Sequence, residues 1–166
     1  MKANRIILGL TALALLVLMV TPVFANGNGN GELVTGLVVG RKEMPVGSVT
    51  VWEDAGTLYV RYETTGCWSL VETHLAVASS LEGIPQTKKG NPIPGHFPYS
   101  ADHDPMVTEY TYELDRGTGT LYIAAHAVVY CDCGCCGRFE TAWGEGPTSV
   151  QFPGRNWAMY FTYPPP

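Results

Sequence analysis

Beyond residue 31 the chain carries its apolar side chains in runs of five to eleven residues rich in Val, Tyr, Thr, Trp and Leu, divided by clusters of Gly, Pro, Asn and Asp. That is the punctuation of β-strands. Strands are predicted at Leu33–Val39, Ser48–Glu53, Thr57–Thr64, Trp68–Ala78, Val107–Leu114, Thr120–Tyr130, Phe139–Trp143 and Asn156–Tyr163. Asp54-Ala55-Gly56 reads as a tight hairpin turn, and Arg116-Gly117-Thr118-Gly119 as a second one joining Val107–Leu114 to Thr120–Tyr130. After the first 25 residues, no window of 11 or more places apolar residues at i, i+3, i+4 and i+7 without a Gly or Pro breaking it, so helix is expected to be scarce.

About eight strands without helices to cover them must bury their apolar faces against one another. The expected fold is therefore all-β, an antiparallel β-sandwich of immunoglobulin-like or jelly-roll type, occupying residues 32–166 as one domain. The long connection Ser79–Met106 contains Pro85, Pro92, Pro94, Pro98 and Pro105, together with Ile84, Ile93, Phe97 and Tyr99. Loops of this length are usually functional or pinned by packing, and these apolar side chains predict an ordered flap.

Residues 1–25 change the compartment. Lys2 and Arg5 precede an apolar run from Ile6 to Val20 and then Thr21-Pro22-Val23-Phe24-Ala25, the layout of a cleavable signal peptide and its signal helix, with the mature start at Asn26. An uncleaved anchor is the alternative, since Ile6–Phe24 approaches the roughly 20 residues that span a bilayer. Residues 26–31, NGNGNG, form a flexible lead-in. Without the leader the chain is 141 residues, enough for one core, and holds 8 basic against 15 acidic residues, a net charge of −7. Such a surface disfavours nucleic acid and anionic lipid. The protein is expected to be secreted, with other extracellular proteins, polysaccharide or copies of itself as partners, and no membrane association after leader cleavage.

Four segments, Trp68–Tyr99, Leu121–Val129, Glu140–Gly146 and Phe152–Tyr163, resemble an uncharacterised β-sandwich module of secreted and surface proteins in bacteria and archaea. From first to last they span about two thirds of the mature chain. The resemblance implies an extracellular sandwich and supplies no catalytic residue. The intervening YCDCGCCGRF departs from that pattern.

In that departure, Cys131, Cys133, Cys135 and Cys136 lie within six residues, with Cys67 far upstream. In an exported chain disulfides come first, Cys131 with Cys136 across a tight loop and Cys67 with Cys133 or Cys135, leaving one thiol unpaired. The alternative is a thiolate site for Zn or Cu. Glu72 and His74 point the same way if Trp68–Ala78 alternates regularly, and pairing with the strand of His126 brings in that histidine and Glu140 as a polar, metal or acid–base cluster. Asp102, Asp104 and Glu109 suggest either a solvated turn or a Ca site, though they complete no EF-hand loop.

Enzyme signatures such as a nucleophile elbow, a zincin helix or a phosphate-binding Gly loop are missing from the sequence. The expected function is a non-enzymatic extracellular module for surface association, matrix or assembly. A carbohydrate- or metal-binding module is the alternative, and a glycoside hydrolase-like enzyme using Glu72 and Glu140 follows.

Overall fold

The computed structural model describes residues 31–41, 43–132, 137–147 and 150–165. The leader and the lead-in through residue 30 lie outside the described residues, as do Cys133, Cys135 and Cys136. Among the described residues no helix is long and apolar enough to cross a membrane.

The described residues form ten strands: β1 Leu33–Val39, β2 Met44–Asp54, β3 Thr57–Thr64, β4 Trp68–Ala78, β5 Tyr99–Val107, β6 Glu109–Asp115, β7 Leu121–Cys131, β8 Arg138–Gly144, β9 Val150–Gln151 and β10 Met159–Tyr163. Among the described residues, helical structure is confined to single 3₁₀ turns at Leu81–Gly83 and Pro94–His96. The pairing is antiparallel throughout.

The all-β antiparallel expectation holds; the two-sheet arrangement gives way to one continuous sheet in the order β5-β4-β7-β8-β1-β2-β3-β6, with β10 on β7 and β9 on β10. The sheet curls until its two edges approach. Only Thr108 separates β5 from β6, so the chain steps directly from one edge to the other, and the whole is a nearly closed barrel. The β2–β3 hairpin turns at Ala55 and Gly56, both at positive φ, as the predicted Asp54-Ala55-Gly56 turn requires. The other predicted hairpin does not form. β6 pairs with β3, whereas β7 pairs with β4, β8 and β10, so Arg116–Gly119 is a crossover. Buried Arg116 anchors it: Nε donates to Glu53 Oε2 at 2.7 Å, and the other guanidinium nitrogens donate to the Gly119 and Pro164 carbonyls.

Two apolar layers lie on opposite faces of the central strands. Inside the barrel, Leu37, Val49, Val60, Tyr62, Leu75, Leu121, Ile123, Val129 and Phe161 pack together. Outside, Val38, Ala76, Ala124 and Trp143 present a second apolar surface that Ile84, Phe97, Phe152 and Met159 cover. The predicted flap is thus an ordered one, running from Ser79 to Pro98. Burying Ile84 and Phe97 contributes roughly 1.5–3 kcal/mol each.

The flap is shorter than expected because Tyr99–Val107 is strand β5. Its acids and Pro105 read as loop, but an edge strand tolerates proline, and residues 103–106 bulge out between Asp102, opposite Glu72, and Val107, opposite Leu70.

Candidate functional site

The outer face of β4, β7 and β8 brings most of the expected polar cluster together. β4 carries a bulge between Leu70 and Glu72. The bulge switches faces: Leu70 packs in the barrel core with Trp68 against it, while Ala76, two residues beyond His74, belongs to the outer layer. Regular alternation from Trp68 to Ala76 is therefore corrected, and Glu72 and His74 share the outer face. His74 stands directly opposite His126 on one side and Ser100 on the other; Glu72 stands opposite Asp102 and Val128. His126 in turn faces Trp143 on β8.

The geometry is close. The two imidazole centroids are 5.4 Å apart, and the His126 ring sits 4.8 Å from the Trp143 ring in an edge-on arrangement. His74 Nε2 lies 3.3 Å from Glu72 Oε2, a long contact to a carboxylate that is 44% exposed. The Nδ1 atoms of both histidines are buried without a hydrogen-bond partner. Burial first, and the neighbouring His74 second, hold the His126 imidazole far below its ordinary 6.5, at about 3. At neutral pH it is an uncharged ring packed among apolar groups.

Glu140 does not join this cluster. It pairs with Val129, an inner-face position, and its carboxylate takes Arg138 Nε at 3.2 Å, so it lies on the opposite side of the sheet from Glu72. The acid–base pair expected of Glu72 and Glu140 is thereby separated by the thickness of the sheet. Asp102, read from sequence as a loop acid, instead belongs beside Glu72.

The remaining calcium candidates are not brought together. Exposed Asp102 and Asp104 flank buried His103, and Glu109 begins β6, where it stands opposite Glu63 of β3. Among the described residues no group of three or more His, Cys, Asp or Glu is placed to hold a metal ion. His103 has a structural role at the seam between the sheet edges. Its Nε2 is 3.1 Å from Thr73 Oγ1, and the Tyr112 hydroxyl donates to the Thr73 carbonyl at 3.0 Å while lying 2.8 Å from Oγ1. Burial lowers the His103 pKa, with Asp102 opposing in part, and pushes the Tyr112 phenol up to about 12 against the pull of the Thr73 bond.

Of the cysteines, Cys131 is a buried free thiol, so the expected Cys131–Cys136 bridge is not formed. The reason is its position. It continues the inner-face series Leu121, Ile123, Ala125, Ala127 and Val129 along β7, an apolar site that a thiol fills well. Cys67 accepts a backbone hydrogen bond from Asp132 at 2.9 Å, next to the start of the cysteine-rich loop.

Sequence reasoning did not single out one aromatic pair. On the outer face beyond His126, Tyr130 stands opposite Phe139 with ring centroids 4.9 Å apart, and Phe139 is 64% exposed. Counting alternation forward from His126 would have placed Tyr130 on this face. The flap residues Ile84 and Phe97 join the layer over Ala76, Ala124 and Trp143, whereas Tyr130, Phe139 and Thr141 lie outside that layer. Compared with protein family models, with curated proteins and with solved structures, the chain matches none, so its reading rests on this geometry.

Proposed function

We propose that this chain is a non-enzymatic extracellular module that attaches to a surface or matrix by binding polysaccharide. The observation that carries the reading is the Tyr130–Phe139 pair outside the covered layer, in which half-buried Tyr130 sets its ring beside the 64%-exposed Phe139. Sugar rings present C–H faces that stack on aromatic rings, and their hydroxyls donate to carboxylates. Glu72 and Asp102 supply such acceptors on the same face, directly across from each other on β4 and β5. Export is supported by the leader pattern from Lys2 to Ala25. The approach of β5 to β6 also favours recognition by side chains over strand addition, since closure leaves little free edge to template a partner strand.

Native gel electrophoresis through a panel of neutral polysaccharides tests this reading. Wild-type protein should be retarded by at least one of them, and Phe139→Ser should migrate as if the polymer were absent. Equal mobility of the two proteins across the panel overturns the proposal.

A further inference from the structure

A second cleft is built from the opposite charge. Arg41 follows β1, Gln151 ends β9, and Arg155, Asn156 and Trp157 lie on the loop between β9 and β10; together they line a cavity of about 250 Å³. That is slightly below the roughly 300–1,000 Å³ of pockets for drug-sized ligands, room for about one sugar ring.

The loop is held in place. The backbone N–H of Asn156 donates to Asn91 Oδ1 at 3.3 Å, and Gly154 N–H donates to the Gly90 carbonyl at 3.1 Å, tying it to the tip of the flap. Gly154 is required there, because a Cβ would collide with the Asn91 side chain and backbone. Phe152 N–H closes the loop's base on the Ala158 carbonyl. The cleft is therefore preorganised by backbone bonds.

Its chemistry is specific. Among the described residues the ion pairs involve Arg61, Arg116 and Arg138, so Arg41 and Arg155 keep their guanidinium forks uncommitted in a chain of net negative charge. Each fork matches the two oxygens of a carboxylate or sulfate group. Asn156 Oδ1 is buried without a partner, and Gln151 adds a second amide. Trp157, half-buried against the outer apolar layer, offers an indole surface beside these polar groups.

We infer that this cleft is a binding site for an anionic sugar residue, a uronate or a sulfated sugar, with Arg41 and Arg155 taking the acidic group, the amides taking hydroxyls and Trp157 packing against the ring. The fifteen acidic side chains do not forbid it: at physiological ionic strength charges beyond about 8 Å are largely screened, so the two nearby guanidiniums dominate. The site does not rest on the Tyr130–Phe139 reading, and either can stand without the other.

Affinity electrophoresis in polygalacturonate, dextran sulfate and neutral dextran separates the cases. The wild type should be retarded by the polygalacturonate gel, the dextran sulfate gel or both, and not by dextran; the gel that retards it identifies carboxylate or sulfate as the group recognised. Arg155→Ala should weaken binding about 10- to 100-fold, the span of one or two charge-assisted hydrogen bonds. Arg155→Lys should restore part of it, and Phe139→Ser should leave it unchanged. Retardation should also fade as salt is raised. Should Trp157→Ala disturb folding, by circular dichroism, the exposed Arg155 variants still decide the matter. Migration unaffected by both polyanions, or retardation that Arg155→Ala leaves intact, overturns the proposal.

Discussion

Strands β7 and β8 run through two environments on one face of the sheet, and the contrast between them organises the molecule. Toward Ala124 and Trp143 the face is built of small residues and one indole, with Ala76 beside them on β4, and Ile84 and Phe97 descend onto it. Toward Tyr130 and Phe139 the same strands carry bulky rings that nothing in the outer layer covers. Small side chains admit a covering segment; large exposed ones invite an external ligand. His126 stands at the boundary, uncharged, between the covered Trp143 and the half-buried His74 with its Glu72 partner.

Removing the cover should have the largest effect. Phe97→Ala deletes a ring that is 6% exposed and 6.4 Å from the Trp143 ring, and should lower stability by about 3–5 kcal/mol in chemical denaturation. A loss under about 1 kcal/mol would show that the flap rests on the sheet without stabilising it. Next, Ala124→Leu inserts bulk beneath the flap at a fully buried position and should cost about 1–3 kcal/mol. Val128→Leu, four residues along on the same face, should cost less than about 0.5 kcal/mol. Similar penalties at both positions would erase the distinction between the halves.

The boundary itself is tested by acid. The His126 pKa is about 3 in the fold against an ordinary 6.5, so in the window between these values the unfolded chain takes up a proton that the folded chain does not. Stability from this group is complete above pH 6.5 and is lost as the pH falls. Between pH 7 and pH 5 the loss should be about 2 kcal/mol, and His126→Phe, which keeps a ring beside Trp143 and removes the titration, should show correspondingly less acid sensitivity. Parallel stability–pH curves for the two proteins would contradict this reading of His126.

The smallest stability effect is expected in the open half. Phe139→Ser should change unfolding free energy by less than about 0.5 kcal/mol, because the side chain is 64% exposed. A large destabilisation would mean that the ring is structural.

Much of the strand pattern was legible in the residues. β1, β3 and β4 begin and end where the apolar alternation begins and ends, and the apolar side chains Ile84 and Phe97 marked the flap as packed. What was not legible depends on partners distant in sequence. β5 was hidden because Asp102, Asp104 and Pro105 are loop-forming residues, tolerated here by an edge strand with a bulge. The bulge at Leu70/Glu72 leaves no local mark, yet it decides that Glu72 lies with His74 and away from the core. A single curled sheet and a sandwich share the same alternation, and only the pairing of β6 with β3 rather than β7 separates them. Glu140 was misplaced for the same reason: its face depends on register against Val129, not on its distance from His126 in the chain.

The central claim is that the open half of this face holds polysaccharide, and backbone amide NMR during a titration tests it most directly. The titrant is a soluble fragment of the neutral polysaccharide that retards the protein most. The largest shifts should fall at Val128–Tyr130, Phe139–Thr141, Glu72 and Asp102, with Ala76, Ala124 and Phe97 unmoved. Saturable shifts confined to the covered half, or spectra that do not change up to millimolar ligand, would contradict it.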